Sequence, residues 1–161
     1  MRNISLALCA LLSATFLLSA EAGQQPAAEG GISMVSPDEL EWSPAPAPFP
    51  PGAEGAVLEG DPSQPGPFVL RFKLPPGYKV PPHWHTGYEK VTVLEGTVKF
   101  APGASGDVSA MAEYGVGAYI SIAARAQHYA QAGEDGALLQ INAEGPFDIH
   151  FVNPDGSEKT P

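Results

Sequence analysis

Between residues 56 and 152 apolar and polar positions alternate in short runs, and each run is cut off by glycine, proline or aspartate. Alternation of period two puts one face of a strand in a core and the other in water, and frequent punctuation of this kind belongs to all-β barrels and sandwiches. The runs predict strands at 56–58 and 68–74, a turn at 75–77 into a further strand, and then strands at 91–94, 97–101, 109–113, 118–122, 128–131, 137–143 and 147–152. Gly96 reads as the reversal that makes 97–101 the hairpin partner of 91–94. Gly115 and Gly117 read as the turn between 109–113 and 118–122. No segment sustains a helical period and no internal repeat is visible. The prediction is one jelly-roll barrel over 56–153, two antiparallel sheets rolled so that most edges are hidden, with a tail at 154–161.

The chain before the barrel has a different character. Residues 23–31 are small and polar and read as a disordered leader, and 34–42 as a helical turn or edge strand with Ser36 or Asp38 as cap. The prolines that follow exclude a helix interior and a central strand, so 23–55 is expected to be a leader and an irregular arm pinned by Trp42 and Phe49. Residues 1–22 combine Arg2, an apolar run over 4–18 and the small-residue site Ala20-Glu21-Ala22, which is the pattern of a signal peptide. The run is too short to span a bilayer, so the expected location is periplasmic or secreted, with no membrane attachment after processing. Cys9 lies in this segment, and its removal leaves a mature chain without thiol or disulfide chemistry.

Charge narrows the partners. The net charge is −10, unchanged by loss of Arg2 and Glu21, and a chain this acidic has no footprint for nucleic acid or an anionic membrane. It also disfavours a highly anionic substrate, unless Arg71, Lys73, Lys79, Lys90, Lys99 and Arg125 gather locally.

The chemistry is concentrated in 77–96, GYKVPPHWHTGYEKVTVLEG. On a strand His83 and His85 point to one face and Trp84 to the other, and Glu89 follows four residues later. Two imidazoles and a carboxylate aimed at one point make a metal site. The remaining histidine of the late strand, His150, alternates away from Phe147, Ile149 and Phe151, which suits a surface or supporting residue. Tyr88, Tyr129, Gln140, Arg71 and Trp84 are candidates to support the ligands or orient a substrate. Neither a Ser-His-Asp set nor a pair of catalytic carboxylates stands out.

The spacing G-x5-H-x-H-x3-E-x6-G from Gly77 to Gly96 resembles the first motif of the cupin superfamily at every fixed position. The second motif, G-x5-P-x-G-x2-H-x3-N, is met from Gly117 only at that glycine and at His128. Ala123, Arg125 and Ala132 stand where proline, glycine and asparagine are usual. The resemblance implies a cupin barrel in which His83, His85, Glu89 and His128 hold one divalent transition metal. Imidazole and carboxylate donors suit Mn, Fe, Ni, Cu or Zn, and are poor for Ca or Mg. It also implies a small-molecule substrate or ligand, a homodimer, and one of two functions. One is metal-dependent chemistry on a small organic molecule, dioxygenase-type in its most concrete form. The other is a non-catalytic binding or sensing barrel with a structural metal. Arg125 lies near the expected barrel mouth, as a cation for a carboxylate or enolate, or simply as a solvent-facing loop residue.

Overall fold

The structure, a computed structural model, describes residues 32–159; the leader predicted at 23–31 and the signal peptide predicted at 1–22 lie outside the described residues. Nine strands are seen there: β1 (Ser43–Pro44), β2 (Glu54–Glu59), β3 (Gly66–Leu74), β4 (Lys79–Trp84), β5 (Glu89–Pro102), β6 (Ala112–Tyr114), β7 (Tyr119–Ile122), β8 (His128–Gly145) and β9 (His150–Phe151). Every ladder between them is antiparallel. Two long strands form the spine. β8 pairs with β3, β4 and β5, while β5 pairs with β6, β7 and β8, so the sheet curls around the face these two share. The fold is the expected all-β, cupin-type one.

The alternation read in the sequence sets the core. On β3, Phe68, Leu70, Phe72 and Leu74 are buried, while Arg71 and Lys73 are not. They meet Val91 and Val93 of β5, Ile122 of β7, and Leu139, Ile141 and Ala143 of β8. The arm is held as its composition suggests. Ser36 donates its N–H to the Glu39 carboxylate at 2.7 Å and so starts a single 3-10 turn over Pro37–Glu39. β1 then pairs with β2 and forms the edge of the sheet there. The Phe49 ring packs 5.2 Å from that of Phe72, and the Lys73 ammonium sits 4.2 Å above the Trp42 ring.

Several predicted boundaries are corrected. Gly96 does not reverse the chain: 91–94 and 97–101 belong to one strand of 14 residues, β5. Likewise 128–131 and 137–143 are one strand, β8. Between Gly96↔Ala137 and Val98↔Ala132 a single residue of β5 faces four of β8, a bulge that bends both strands. Gly96 has φ +66°, and Gly136 in the bulge has φ +81°. A Cβ at Gly96 would lie 2.1 Å from the Gly136 carbonyl oxygen. Left-handed backbone, which glycine tolerates, here serves a bulge and not a hairpin. The segment at 109–113 is a 3-10 turn over Val108–Ala110 followed by β6; β6 and β7 do not pair with each other, because each pairs with β5. Of 147–152 only His150–Phe151 is a strand. The chain after it turns back through the bridge Val152↔Glu158.

Candidate metal centre

Period two and one cross-strand pairing bring the histidines together. His83 on β4 is the direct partner of His128 at the start of β8, and their ring centroids are 4.1 Å apart. His85 lies two residues beyond His83 on the same side, 4.9 Å ring to ring. The three imidazoles offer ligand atoms that all lie within 4.8 Å of one another, and all three are buried. Glu89 opens β5, paired with Ala143 and Ile122. Its Oε2 lies 3.4 Å from Nε2 of both His85 and His128.

The backbone fixes the tautomers. His83 Nδ1–H donates to the Pro81 carbonyl at 2.7 Å, His128 Nδ1–H to the Ala126 carbonyl at 2.9 Å, and His85 Nδ1–H to the Asp148 carbonyl at 2.5 Å. A carbonyl can only accept, so in a neutral ring the proton sits on Nδ1 and the lone pair on Nε2. Burial, reinforced by the His128 and His85 rings, pushes His83 well below its ordinary pKa. Burial also lowers His85, against the opposing pull of Glu89. Neutral imidazoles with free Nε2 atoms are the ligand-competent form. Lone pairs facing a carboxylate across 3.4 Å repel unless a cation lies between them, so the donor set fits a metal ion. The three buried histidines could hold one, and Glu89 is placed to join them.

The centre forms one side of a cavity of about 60 Å³. Its other walls are apolar, and they include Phe72 and Leu74 of β3, Val91, Val98 and Phe100 of β5, Ile120 and Ile122 of β7, and Leu139 and Ile141 of β8. Phe49 and Phe147, both from irregular segments, complete them. Phe147 lies flat on the His85 imidazole, 4.4 Å between centroids, and Phe100 stacks on His128 at 5.4 Å. Sequence reading missed these walls, which come from separated stretches with no shared motif.

The proposed supporting residues go elsewhere. Tyr88, Tyr129, Gln140, Arg71 and Trp84 are all absent from the cavity lining. Alternation explains Gln140 between Leu139 and Ile141, and Arg71 beside Phe72; the two are cross-strand partners on the outer face. Tyr129 is buried on the face opposite His128 and Ala130, and its hydroxyl donates to the Asp107 carbonyl at 3.0 Å. Tyr88 is an exposed ring under Lys90. Arg125 does not face the cavity either. It keeps, at φ +62°, the left-handed backbone that a motif glycine would adopt, with its N–H on the His85 carbonyl at 2.8 Å and its guanidinium over Trp84.

His150 proves to be the supporting residue. It stacks on Trp84 at 3.9 Å and donates from Nε2 to Asp148 at 2.9 Å and from Nδ1 to Glu158 at 2.8 Å. Asp148 in turn accepts from Thr86 N–H and Oγ1–H, and its carbonyl orients His85. Hydrogen bonds to Glu158 and then Asp148 raise the His150 pKa. Burial would raise Asp148, but the Thr86 and His150 donors outweigh it and bring it to about 2. The signs define a window. A depressed carboxylate stabilises above its unfolded pKa and loses this as pH falls from about 4 towards 2. A raised imidazole stabilises below about 6.5 and loses this as pH rises through its folded value. The stability difference between wild type and Asp148→Asn in urea is therefore expected to peak between about pH 4 and 6.5. Solvent exposure of the pair limits it to roughly 1 kcal/mol. A difference that stays flat from pH 3 to 8 would contradict this.

Comparison with known proteins agrees with the fold. The chain is similar to a candidate acetylacetone dioxygenase of Methylibium petroleiphilum PM1, at 23% identity and TM-score 0.60 over 81% of this chain and 87% of that one. It is similar to the polyketide cyclase RemF of Streptomyces resistomycificus, at 19% identity and TM-score 0.64 over 77% and 90%. A cupin 2 conserved barrel domain protein of Rhodopseudomonas palustris follows at 16% and 0.59 over 77% and 87%. At these identities the likeness concerns the fold. No functionally curated protein matches the sequence significantly. Residues 31–148 match the ChrR Cupin-like domain, most of the chain and all four residues of the centre. The chain belongs to the ChrR cupin-like family.

Proposed function

We propose that this chain is an exported metal-binding cupin that acts on a small organic molecule, with His83, His85, Glu89 and His128 as the ligands of one divalent transition metal. The observation that carries the reading is the convergence of three imidazole Nε2 atoms, each ring with Nδ1 on a backbone carbonyl, and a carboxylate on the wall of an apolar cavity. A bound Mn, Fe, Ni, Cu or Zn would supply Lewis acidity or, for the redox-active ions, oxygen activation. The protein's own part is to orient the imidazoles through the Pro81, Asp148 and Ala126 carbonyls, and to exclude water with the surrounding rings. Four protein donors leave places for a substrate on an ion that accepts five or six. Oxygen-dependent oxidation is the most concrete activity, and the likeness to a candidate acetylacetone dioxygenase supports testing it first.

A non-catalytic barrel is the second reading, and the Phe147 ring stacked on His85 speaks for it, since a bulky neighbour narrows access to the centre. The experiment that separates them is oxygen uptake by the Fe(II)-loaded protein with a panel of phenolic and keto compounds. Uptake that His85→Ala lacks is expected. Full metal occupancy with no uptake across the panel would favour the binding barrel.

A further inference from the structure

We propose that His85 is the ligand through which the metal is taken up and released, and that the Asp148 side chain is the positioning group that controls it; this deepens the metal reading above and rests on it. The four donors are not held alike. His83 and His128 face each other within the ladder of β4 and β8, and Glu89 is paired on both sides at the start of β5. His85 lies past Trp84, the last residue of β4, and outside every ladder. The hydrogen bonds at Nδ1 divide the donors in the same way. His83 and His128 use the carbonyls of Pro81 and Ala126, two residues back along the chain, whereas His85 uses that of Asp148, 63 residues away.

That distant carbonyl is set in place by its own side chain. The Asp148 carboxylate accepts the Thr86 N–H at 2.8 Å and the Thr86 hydroxyl at 2.5 Å, so one residue clips two consecutive ones, the His85 ring by its carbonyl and Thr86 by its carboxylate. His150 Nε2–H holds the same carboxylate from the other side at 2.9 Å. Phe147 lies flat on the His85 ring, with 16° between the planes, and its N–H donates to the Pro62 carbonyl at 2.7 Å. Residues 146–149 belong to no strand and none of them is fully buried. A segment held by a few water-accessible hydrogen bonds opens at lower free energy than the strands of a core. Opening the clip frees the His85 ring to turn while the sheet keeps the other three donors in place, which makes His85 the ligand that lets go first.

The test uses the protein with and without metal. In the metal-free protein, nitrogen-15 NMR of the imidazoles reads the tautomers. Wild type is expected to carry the His85 proton on Nδ1, and Asp148→Ala to mix the two tautomers at His85 while His83 and His128 keep theirs. In the Co(II)-loaded protein, Asp148→Ala is expected to alter the visible absorption of the ion and to release it to excess chelator roughly tenfold faster or more, as for loss of a group that supports a ligand. Asp148→Asn can still accept the Thr86 N–H and is expected to fall between Ala and wild type. Asp107→Ala is the control, because Asp107 holds the N–H and hydroxyl of Ser109 in the same manner, at 2.8 Å each, and should leave the release rate at the wild-type value. An unchanged His85 tautomer, or equal acceleration by Asp107→Ala, in a protein that holds Co(II) overturns the clip and leaves the metal reading intact. A wild-type protein that holds no Co(II) overturns the metal reading itself, and this proposal with it.

Discussion

His128→Ala is expected to lower metal affinity by roughly a hundredfold or more, while the metal-free protein keeps its fold. Loss even of a residue that merely orients a ligand costs 10–100-fold, and loss of a ligand itself should exceed that. The imidazole is buried, pairs across strands with His83, and turns its Nε2 towards the Glu89 carboxylate at 3.4 Å. Without it, two imidazoles and one carboxylate remain, and the cavity they line can take up the lost volume. Tyr129→Phe is the control, because its hydroxyl serves the 105–107 loop on the opposite face. Competition against a chromophoric chelator, with circular dichroism as the check on folding, gives the answer. Wild-type affinity in the His128→Ala protein would remove the fourth ligand and return the centre to the first motif alone.

Gly96→Ala is expected to destabilise the protein by about 3 kcal/mol or more, the upper part of the range for single substitutions. Two costs act together. The left-handed backbone at φ +66° penalises any Cβ by about 1–2 kcal/mol. In addition the new atom would stand 2.1 Å from the Gly136 carbonyl oxygen, so the bulge joining β5 to β8 must open. Gly117→Ala separates the two contributions. It has φ +86° but nothing within 4 Å of its Cβ position, so only the backbone cost of about 1 kcal/mol applies. Urea unfolding of the two variants at neutral pH measures the difference. Equal losses would show that the close approach at Gly96 relaxes without cost.

These two sites show where sequence reading succeeds and stops. His83, His85 and Glu89 could be placed on one face because a strand repeats every two residues, and that geometry is local. His128 came from motif spacing alone, and the structure puts it opposite His83. The positive φ at Gly96 was also legible as a need for glycine. What it served was not, since turns and bulges ask the same of one residue and differ only in which strand lies alongside. For that reason the predicted hairpin at Gly96 and the predicted gap between 131 and 137 turned out to be one bulge between two long strands.

The sequence by itself therefore determined an all-β chain, its buried alternate positions, a proline-rich arm and the donor types of the centre, because each follows from periodicity or backbone chemistry within a few residues. The tertiary structure alone decided which side chains enclose those donors. Phe49, Phe100 and Phe147 come from distant segments, and His85 owes its orientation to the Asp148 carbonyl, 63 residues along the chain. Closing a cavity is a property of how the sheet curls, and no local pattern encodes the partner that long-range pairing brings to each strand.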